Sequence, residues 1–451
     1  MRPSPAPPRP YAFPQATRIK TVSGIDIVVA TTHRLPLATI QIVVNGGAMR
    51  ESAAQAGLAL LTARGLVEGT ADLSADDVAE RFELLGSSIT PSGDWESIQL
   101  HCTVLSTHVP AAFSLIGQLL REPAFRESDI QRLRDERLAE LLQRDTDARE
   151  LADDEFARSV YTSGDRLSLP LGGERDSVER LSRDASSMWH QAVMKPANIS
   201  IVVVGNVEAS DIESVVNHEF GVWEPSMSAV PPASANHVRA EPRAVLVEVE
   251  GAAQTELRIG HAGPPRRHPD YYALTVMNAI LGGLFGSRIN LNLREAHGYT
   301  YGASSGYSWR RDGSLFVVST AVGSDATVPA LEEVDRELKR IREQLVTPTE
   351  LSLALDHLEG VFPLRFETTE ALANALAVQG IYELPERYFD EYRSQIRAVT
   401  ANDVQRVAEQ HLTPDHLHTI VVGSPTVREA VEAHFGSRLT VKRLSTAAGV
   451  A

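Results

Sequence analysis

The chain has 451 residues, 43% of them apolar, so it can bury a large core and form at least two domains. Its formal charge of -16 argues against a nucleic-acid partner. The single cysteine, Cys102, excludes an internal disulfide and a thiolate metal cluster. No apolar run approaches the roughly 20 residues that a membrane-spanning helix needs. Composition therefore predicts a soluble, acidic protein of two or more domains.

The N terminus carries prolines at positions 3, 5, 7, 8, 10 and 14, where a signal peptide would need an uninterrupted apolar helix. We therefore interpret 1–20 as a flexible Pro-rich arm and predict a cytoplasmic location.

Apolar periodicity then predicts alternating strands and helices through the first half. Two helices have candidate N-caps, Ser74 and Ser128. The predicted strands are 21–30, 37–45, 98–104 and 199–204, and the predicted helices are 57–67, 75–85, 109–121, 129–144, 182–193 and 210–218.

The second half repeats this plan. The stretch 194–205 matches 412–423 in its proline, strand and glycine at a constant offset of 218 residues, which indicates a duplication. Alternating strands between amphipathic helices predict an α+β fold with two homologous domains, each a mostly antiparallel sheet with helices on one face. The predicted division is an arm at 1–20, a first domain at 21–223, a linker at 224–243, a second domain at 244–440 and a tail at 441–451.

The stretch 278–309 carries the strongest candidate site. An apolar helix is expected to end at Gly282-Gly283, a second helical segment to stop at Gly298, and an aromatic strand to follow. Arg294 would then lie at a helix end and Tyr301 just inside the strand. A guanidinium near a phenol offers only hydrogen-bond donors at neutral pH, which suits a carbonyl or an oxyanion.

Several segments together resemble the M16 family of zinc peptidases (relatives of pitrilysin, insulin-degrading enzyme and mitochondrial processing peptidase), specifically its smaller bacterial two-domain branch. The resemblance covers about 21–436 and implies the fold of that family, which is also that of LuxS and mitochondrial processing peptidase. The matching segments are 46–51 (GGAMRE), 57–59, 68–70, 254–261, 270–274 and 281–283.

The resemblance also shows what is missing. Catalytic members carry His-x-x-Glu-His on their first helix, where two imidazoles bind zinc and the glutamate activates water. The corresponding positions here hold Leu60, Ala63 and Arg64, so both zinc ligands and the base are absent. The family's third ligand has an approximate counterpart in Glu140, which we interpret as a solvated helix residue. We expect no cofactor in this chain.

Catalytic M16 assemblies also use an Arg and a Tyr seven residues apart, and Arg294 and Tyr301 have that spacing. In some bacterial relatives the zinc motif and this pair lie on different chains. The resemblance therefore implies a non-zinc-binding subunit, inactive alone, whose partner supplies Zn²⁺ and with which it cleaves peptides. The alternatives are an inert structural or peptide-binding subunit, and an inactive homodimer.

Other residues have weaker interpretations. Gly282 and Gly283 would allow close approach of substrate, and Gln254 with Thr255 could open an edge strand that pairs with a peptide. Arg294 could instead pair with Glu295, and Tyr301 could be a core aromatic. His297 is interpreted as a helix-end residue. The run containing His411, His416 and His418 could chelate a metal, but a structural role is preferred.

Overall fold

The first half forms a mixed six-stranded sheet. The structure is a computed structural model and describes residues 10–221, 223, 233 and 237–443. The sheet has the order β1-β2-β6-β3-β5-β4, and only the β2–β6 pair is parallel. Its strands are β1 (Thr17–Lys20), β2 (Asp26–Thr31), β3 (Leu37–Val44), β4 (Thr90–Gly93), β5 (Ile98–Leu105) and β6 (Ile199–Gly205).

Eight α-helices accompany these strands. The helix-cap prediction is confirmed at Ser74, whose side chain forms a capping box with Asp77. It is wrong at Ser128, because the helix begins one residue earlier, at Glu127. The helices are α1 (Leu58–Gly65), α2 (Ala75–Leu84), α3 (Val109–Arg121), α4 (Glu127–Arg144), α5 (Ala148–Val160), α6 (Arg175–Val178), α7 (Arg183–Val193) and α8 (Ala209–Phe220).

The second half forms a sheet of the same size, in the order β12-β7-β11-β8-β10-β9. Its strands are β7 (Ala244–Glu248), β8 (Thr255–Gly263), β9 (Ala303–Trp309), β10 (Ser314–Val322), β11 (His418–Gly423) and β12 (Leu439–Arg443). Its helices are α9 (Tyr271–Asn278), α10 (Arg288–Asn290), α11 (Thr327–Glu343), α12 (Pro348–Val361), α13 (Thr369–Ile381), α14 (Tyr388–Arg397), α15 (Ala401–His411) and α16 (Arg428–Phe435). The prediction of an α+β fold with two mostly antiparallel sheets is confirmed.

The duplication is visible element by element. Helices α7 and α15 begin and end 218 residues apart (183 to 401 and 193 to 411), and both have a hydroxyl N-cap, Ser182 and Thr400. A 3₁₀ turn that begins with proline and a buried strand follow each helix. The periodicity argument therefore located true structural repeats.

The described residues pack as two compact units that interleave along the sequence. The first unit takes up the described parts of Met1–Leu141, Leu169–Ala235 and Val361–Asp390, and the second takes up Leu142–Ser168 and the described parts of Asn236–Gly360 and Glu391–Ala451. The units thus depart from the predicted division at 21–223 and 244–440, because each contains one helical segment from the other half of the chain.

The exchanged helices are equivalent in the two repeats. Helix α5 packs on β8 and β11, and α13 packs on β3 and β6. They begin and end 221 residues apart (148 to 369 and 160 to 381). On the first sheet, the Thr39 hydroxyl lies 2.8 Å from that of Thr369 on α13, and Thr39 is fully buried. A helix therefore also covers the second face of this sheet, which the prediction of helices on one face did not include.

The prediction of a flexible arm is wrong for residues 10–20. Thr17–Lys20 forms β1 and pairs with β2. Phe13 is buried, and its ring stacks on that of Phe389 with centroids 4.2 Å apart. Apolar packing of this kind fixes the segment on the first unit. Positions 1–9 lie outside the described residues.

The predicted linker and tail are described only in part. The stretches 224–232, 234–236 and 444–451 lie outside the described residues. Val238, within the predicted linker, forms a β-bridge with Tyr161, and Arg443, in the predicted tail, ends β12. Within the described residues, no helix combines the length and the apolar character needed to cross a bilayer.

His418 gives the second sheet a predictable response to acid. Burial, with smaller contributions from nearby cationic groups (Arg239, His261, Arg243 and His416), lowers the pKa of His418 to about 4. An unfolded histidine titrates near 6.5, so the unfolded chain binds more protons between these values. We expect this residue to cost up to about 3 kcal/mol of stability as the pH falls from about 6.5 to 4.

Urea unfolding of the wild type and of His418→Asn at several pH values tests this expectation. The variant is expected to lose less stability over that interval, whatever its stability at pH 7.5. His416→Asn, at an exposed position two residues earlier, is the matched control and should keep the wild-type slope. Equal slopes for wild type and His418→Asn would contradict the assignment.

Candidate functional site

The candidate segment is built from helices with unusual hydrogen bonding. Helix α9 continues into a π-helix, Ala279–Gly283, and α10 continues into a second one, Leu291–Ala296. Such π-helical turns are rare and often occur at functional sites. The Asn278 amide fastens the first to β9, because its Nδ2 donates to the Ser305 carbonyl oxygen at 3.1 Å and its Oδ1 accepts from the Ser305 hydroxyl at 2.8 Å.

The two glycines of this segment have different surroundings. Gly282 is buried, and a Cβ there would lie 2.4 Å from the Ser305 hydroxyl oxygen. Gly283 is exposed, and a Cβ would lie 2.8 Å from the Asn278 amide nitrogen. Close packing against β9 accounts for Gly282 without a substrate, whereas its predicted role in substrate binding stays a prediction, as does that of Gly283.

Tyr301 lies on a bend just before β9, not inside the strand as predicted, because β9 begins at Ala303. Its neighbour Thr300 is buried, and the Thr300 hydroxyl donates to the Ala321 carbonyl oxygen at 2.7 Å and accepts the Gly302 N–H at 3.0 Å. The Tyr301 side chain is 91% exposed. A tightly held backbone therefore presents a large aromatic side chain to solvent, and the interpretation of Tyr301 as a core aromatic is wrong.

Arg294 lies on the second π-helix and is partly exposed. Its guanidinium carbon lies 4.6 Å from the ring centroid of Phe285, which is itself 72% exposed. Its Nε lies 3.6 Å from Glu295 Oε1, a solvated ion pair that contributes little stability. A stacked guanidinium keeps its N–H groups available at the ring edge.

The turn between Arg294 and Tyr301 is closed by backbone hydrogen bonds. Gly298, with φ of 69°, donates its N–H to the Arg294 carbonyl oxygen at 3.1 Å. Such a left-handed residue is the usual end of a helix and favours glycine. The His297 ring stacks on Tyr299 with centroids 5.0 Å apart, and its Nδ1 lies 3.1 Å from the Asn292 carbonyl oxygen. These contacts agree with the helix-end interpretation of His297.

Asparagines and an arginine, none of which the sequence analysis singled out, anchor the segment. Asn290 Oδ1 accepts the Ala303 N–H at 3.0 Å, and Asn292 Nδ2 donates to Glu333 and Glu337 at 3.0 and 2.9 Å. Arg288 is buried and forms a bidentate ion pair with Glu350 at 2.6 and 3.0 Å. Polar residues between the apolar positions of 288–294 were the available signal.

On α1 the residues do not fit a zinc ion. Leu60 and Ala63 offer no ligand atom, and the Arg64 guanidinium donates to both oxygens of Glu140, at 3.0 and 3.4 Å. Arg137 donates to Glu140 as well, at 2.8 Å. The two guanidiniums therefore occupy the carboxylate that would be the third ligand. The interpretation of Glu140 as a solvated residue is corrected, because it is partnered by two cations.

The electrostatics of this cluster favour an ion pair over a metal. Partial burial raises the pKa of Glu140, but hydrogen bonds from Arg137 and Arg64 outweigh it and hold the pKa below its usual value. The cavity beside α1, lined by Leu60, Leu61 and Arg64 among others, measures about 10 Å³, at the lower limit for one water molecule. Apolar packing and a fixed positive charge exclude a cation from this position.

The edge-strand prediction at Gln254 and Thr255 is wrong. Strand β8, which begins at Thr255, is central, because it pairs with β10 on one side and β11 on the other. Thr255 is fully buried, and its hydroxyl lies 3.0 Å from that of Thr327. Gln254 is exposed in the preceding turn. A peptide cannot add to β8 at either side.

Comparison with known proteins agrees with this architecture. The family profile described as Peptidase M16 inactive domain matches residues 180–358, and the profile of Insulinase (Peptidase family M16) matches 27–173. A crystal structure of a peptidase M16 inactive domain from Pseudomonas fluorescens superposes with a TM-score of 0.84, at 23% identity, covering 91% of this chain and 98% of that one. The chain belongs to the M16 peptidase family.

Relatives in the family carry contrasting descriptions. An uncharacterized zinc protease of Mycobacterium tuberculosis is 24% identical over 94% of this chain and 96% of its own length. The non-peptidase homolog YmxG of Helicobacter pylori is 22% identical over 89% of this chain and 92% of its own length. The degenerate α1 site makes this chain an M16 subunit of the inactive-domain type.

Proposed function

We propose that this chain is the non-zinc-binding subunit of a heterodimeric M16-type metallopeptidase located in the cytoplasm. The observation that carries the proposal is the exposed Tyr301 on a fixed bend, in a chain whose zinc helix holds the Arg64–Glu140 ion pair. An intact set of donors without a metal site implies that the chemistry needs a second chain.

In this proposal the partner supplies the His-x-x-Glu-His zinc site, and this chain supplies hydrogen-bond donors. The Tyr301 hydroxyl and the Arg294 guanidinium bind the carbonyl oxygen of an extended peptide. Both donors strengthen their hydrogen bonds as that oxygen gains negative charge, which lowers the barrier to attack on the carbonyl. Gly283 and Phe285, both exposed beside this segment, would contact the same substrate.

We expect the isolated chain to leave peptides uncut, with or without added Zn²⁺. Mixing it with its His-x-x-Glu-His partner should produce zinc-dependent cleavage. The measurement is release of a fluorescent peptide product by each chain alone and by the mixture. Robust zinc-dependent cleavage by the isolated chain would overturn the proposal.

A second candidate is a catalytically inert subunit that binds peptides or stabilises an assembly. It is favoured by the match to the M16 inactive domain and by the non-peptidase relative. Under this alternative the exposed side chains of Phe285, Leu291 and Tyr301 would form only a binding surface. Removing the Tyr301 hydroxyl separates the two candidates, because an inert subunit loses no turnover.

A further inference from the structure

Two histidines and an aspartate of the second unit meet where α9 begins and α15 ends. His411 Nε2 lies 2.8 Å from Asp270 Oδ2, and His268 Nδ1 lies 3.8 Å from the same oxygen. One ligand atom from each of the three residues falls within 4.8 Å of the others. The sequence gave no hint of this grouping, because 141 residues separate Asp270 from His411.

The ligand atoms have the chemical form that a metal needs. His268 Nδ1 accepts the Asp270 N–H at 3.1 Å, so this nitrogen carries a lone pair and no proton. His411 Nε2 points at the carboxylate oxygen and can give up its proton to a competing cation. The rings of the two histidines meet edge to face with centroids 4.9 Å apart, so both face one point.

The spacing suits a small divalent cation. Zinc binds imidazole nitrogen and carboxylate oxygen at about 2.1 Å, which puts neighbouring tetrahedral ligands about 3.4 Å apart. The measured separations of 2.8 and 3.8 Å from Asp270 Oδ2 bracket that value. Side-chain rotations of well under 1 Å would complete the geometry, on the order of the tolerance of such sites.

Burial and the neighbouring charge define the rest of the site. The side chains of His411, Asp270 and His268 are 10%, 14% and 28% exposed, so the ligands are held while one side stays open to water. The Arg406 guanidinium donates to the other carboxylate oxygen, Oδ1, at 2.8 Å. This contact fixes the orientation of the carboxylate and leaves Oδ2 to the histidines, although its positive charge weakens cation binding.

We propose that His268, Asp270 and His411 form a binding site for a divalent transition-metal cation of the zinc class. Two imidazoles and one carboxylate are the ligand set that such ions prefer over magnesium or calcium. The site uses none of the residues of α1 and revises the expectation that this chain holds no metal. It also does not depend on the proposed peptidase role, and its readouts need no peptidase activity.

Titration of the untagged, chelator-treated full chain with Co²⁺ tests the proposal. We expect one Co²⁺ per chain with visible absorption bands, displacement of these bands by Zn²⁺, and a rise in Tm with Zn²⁺. His411→Ala and His268→Ala are each expected to weaken the metal affinity by at least about tenfold. His268 lies in the loop before α9, so its variant should keep the fold, which circular dichroism without metal checks.

The matched control is His416→Ala, an exposed histidine outside the triad, which should bind as the wild type does. The absence of a Co²⁺ signal and of a Zn²⁺-dependent Tm shift at millimolar metal would overturn the proposal. Binding that is unchanged in folded His268→Ala and His411→Ala would overturn it as well. In either case the triad is only an ion pair between α9 and α15.

Discussion

The assembled complex containing Tyr301→Phe is expected to turn over peptide about 10²-fold more slowly than wild type, the typical cost of removing one oxyanion donor. The variant removes one oxygen atom from a side chain that is 91% exposed, so folding and assembly should be unchanged. Because the hydroxyl acts most strongly as charge develops, kcat should fall more than KM rises. The measurement is steady-state kinetics with size-exclusion chromatography of the same samples.

Tyr299→Phe is the matched control for this variant. Tyr299 lies two residues earlier in the same turn, and its ring stacks on His297. Removal of its hydroxyl tests for a general effect of losing a phenol in this segment, and we expect turnover close to wild type. Unchanged turnover in Tyr301→Phe would reject the catalytic role and support the inert-subunit alternative.

Arg288→Met should destabilise the chain by about 3 kcal/mol, because it removes one partner of a buried ion pair. The Arg288 side chain is 5% exposed, and the pair anchors α10 to the start of α12. Burial raises the pKa of Glu350, but hydrogen bonds from Arg288 and Thr347 outweigh it and lower the pKa to about 2. Without Arg288 the charged carboxylate loses its main compensation. Urea unfolding at neutral pH measures the loss.

Two comparisons test that explanation. The double variant Arg288→Met with Glu350→Gln should be more stable than the single variant, because it also removes the uncompensated charge. Lys339→Met breaks a solvent-exposed pair with Asp335 on α11 and should change the free energy of unfolding by under about 0.5 kcal/mol. A similar loss for Arg288→Met and Lys339→Met would mean that the Arg288 pair is no stronger than a surface contact.

The sequence was sufficient for features that depend on local pattern. The proline, strand and glycine at a 218-residue offset located the repeats, and the residues on α1 excluded zinc at that helix without any coordinates. Arg294 and Tyr301 followed from the family spacing. Each of these inferences needs only residue identity and short-range periodicity.

Contacts over long sequence distances could not be predicted in the same way. Arg64 meets Glu140 across 76 residues, and nothing in either helix specifies that partner. The alternation in β8 shows which side chains are buried, but not that strands lie on both of its sides. Helical periodicity likewise gives α5 an apolar face without naming the sheet that it covers.

The exchange of α5 and α13 has a consequence for modularity. Each sheet receives one covering helix from the half of the chain that does not form its strands. Two copies of a single repeat that swapped this helix would have the same connectivity, with the 224–243 segment joining what had been separate chains. The gene duplication thus produced halves that are similar but not self-sufficient, and a truncation at that junction would strip both sheets at once.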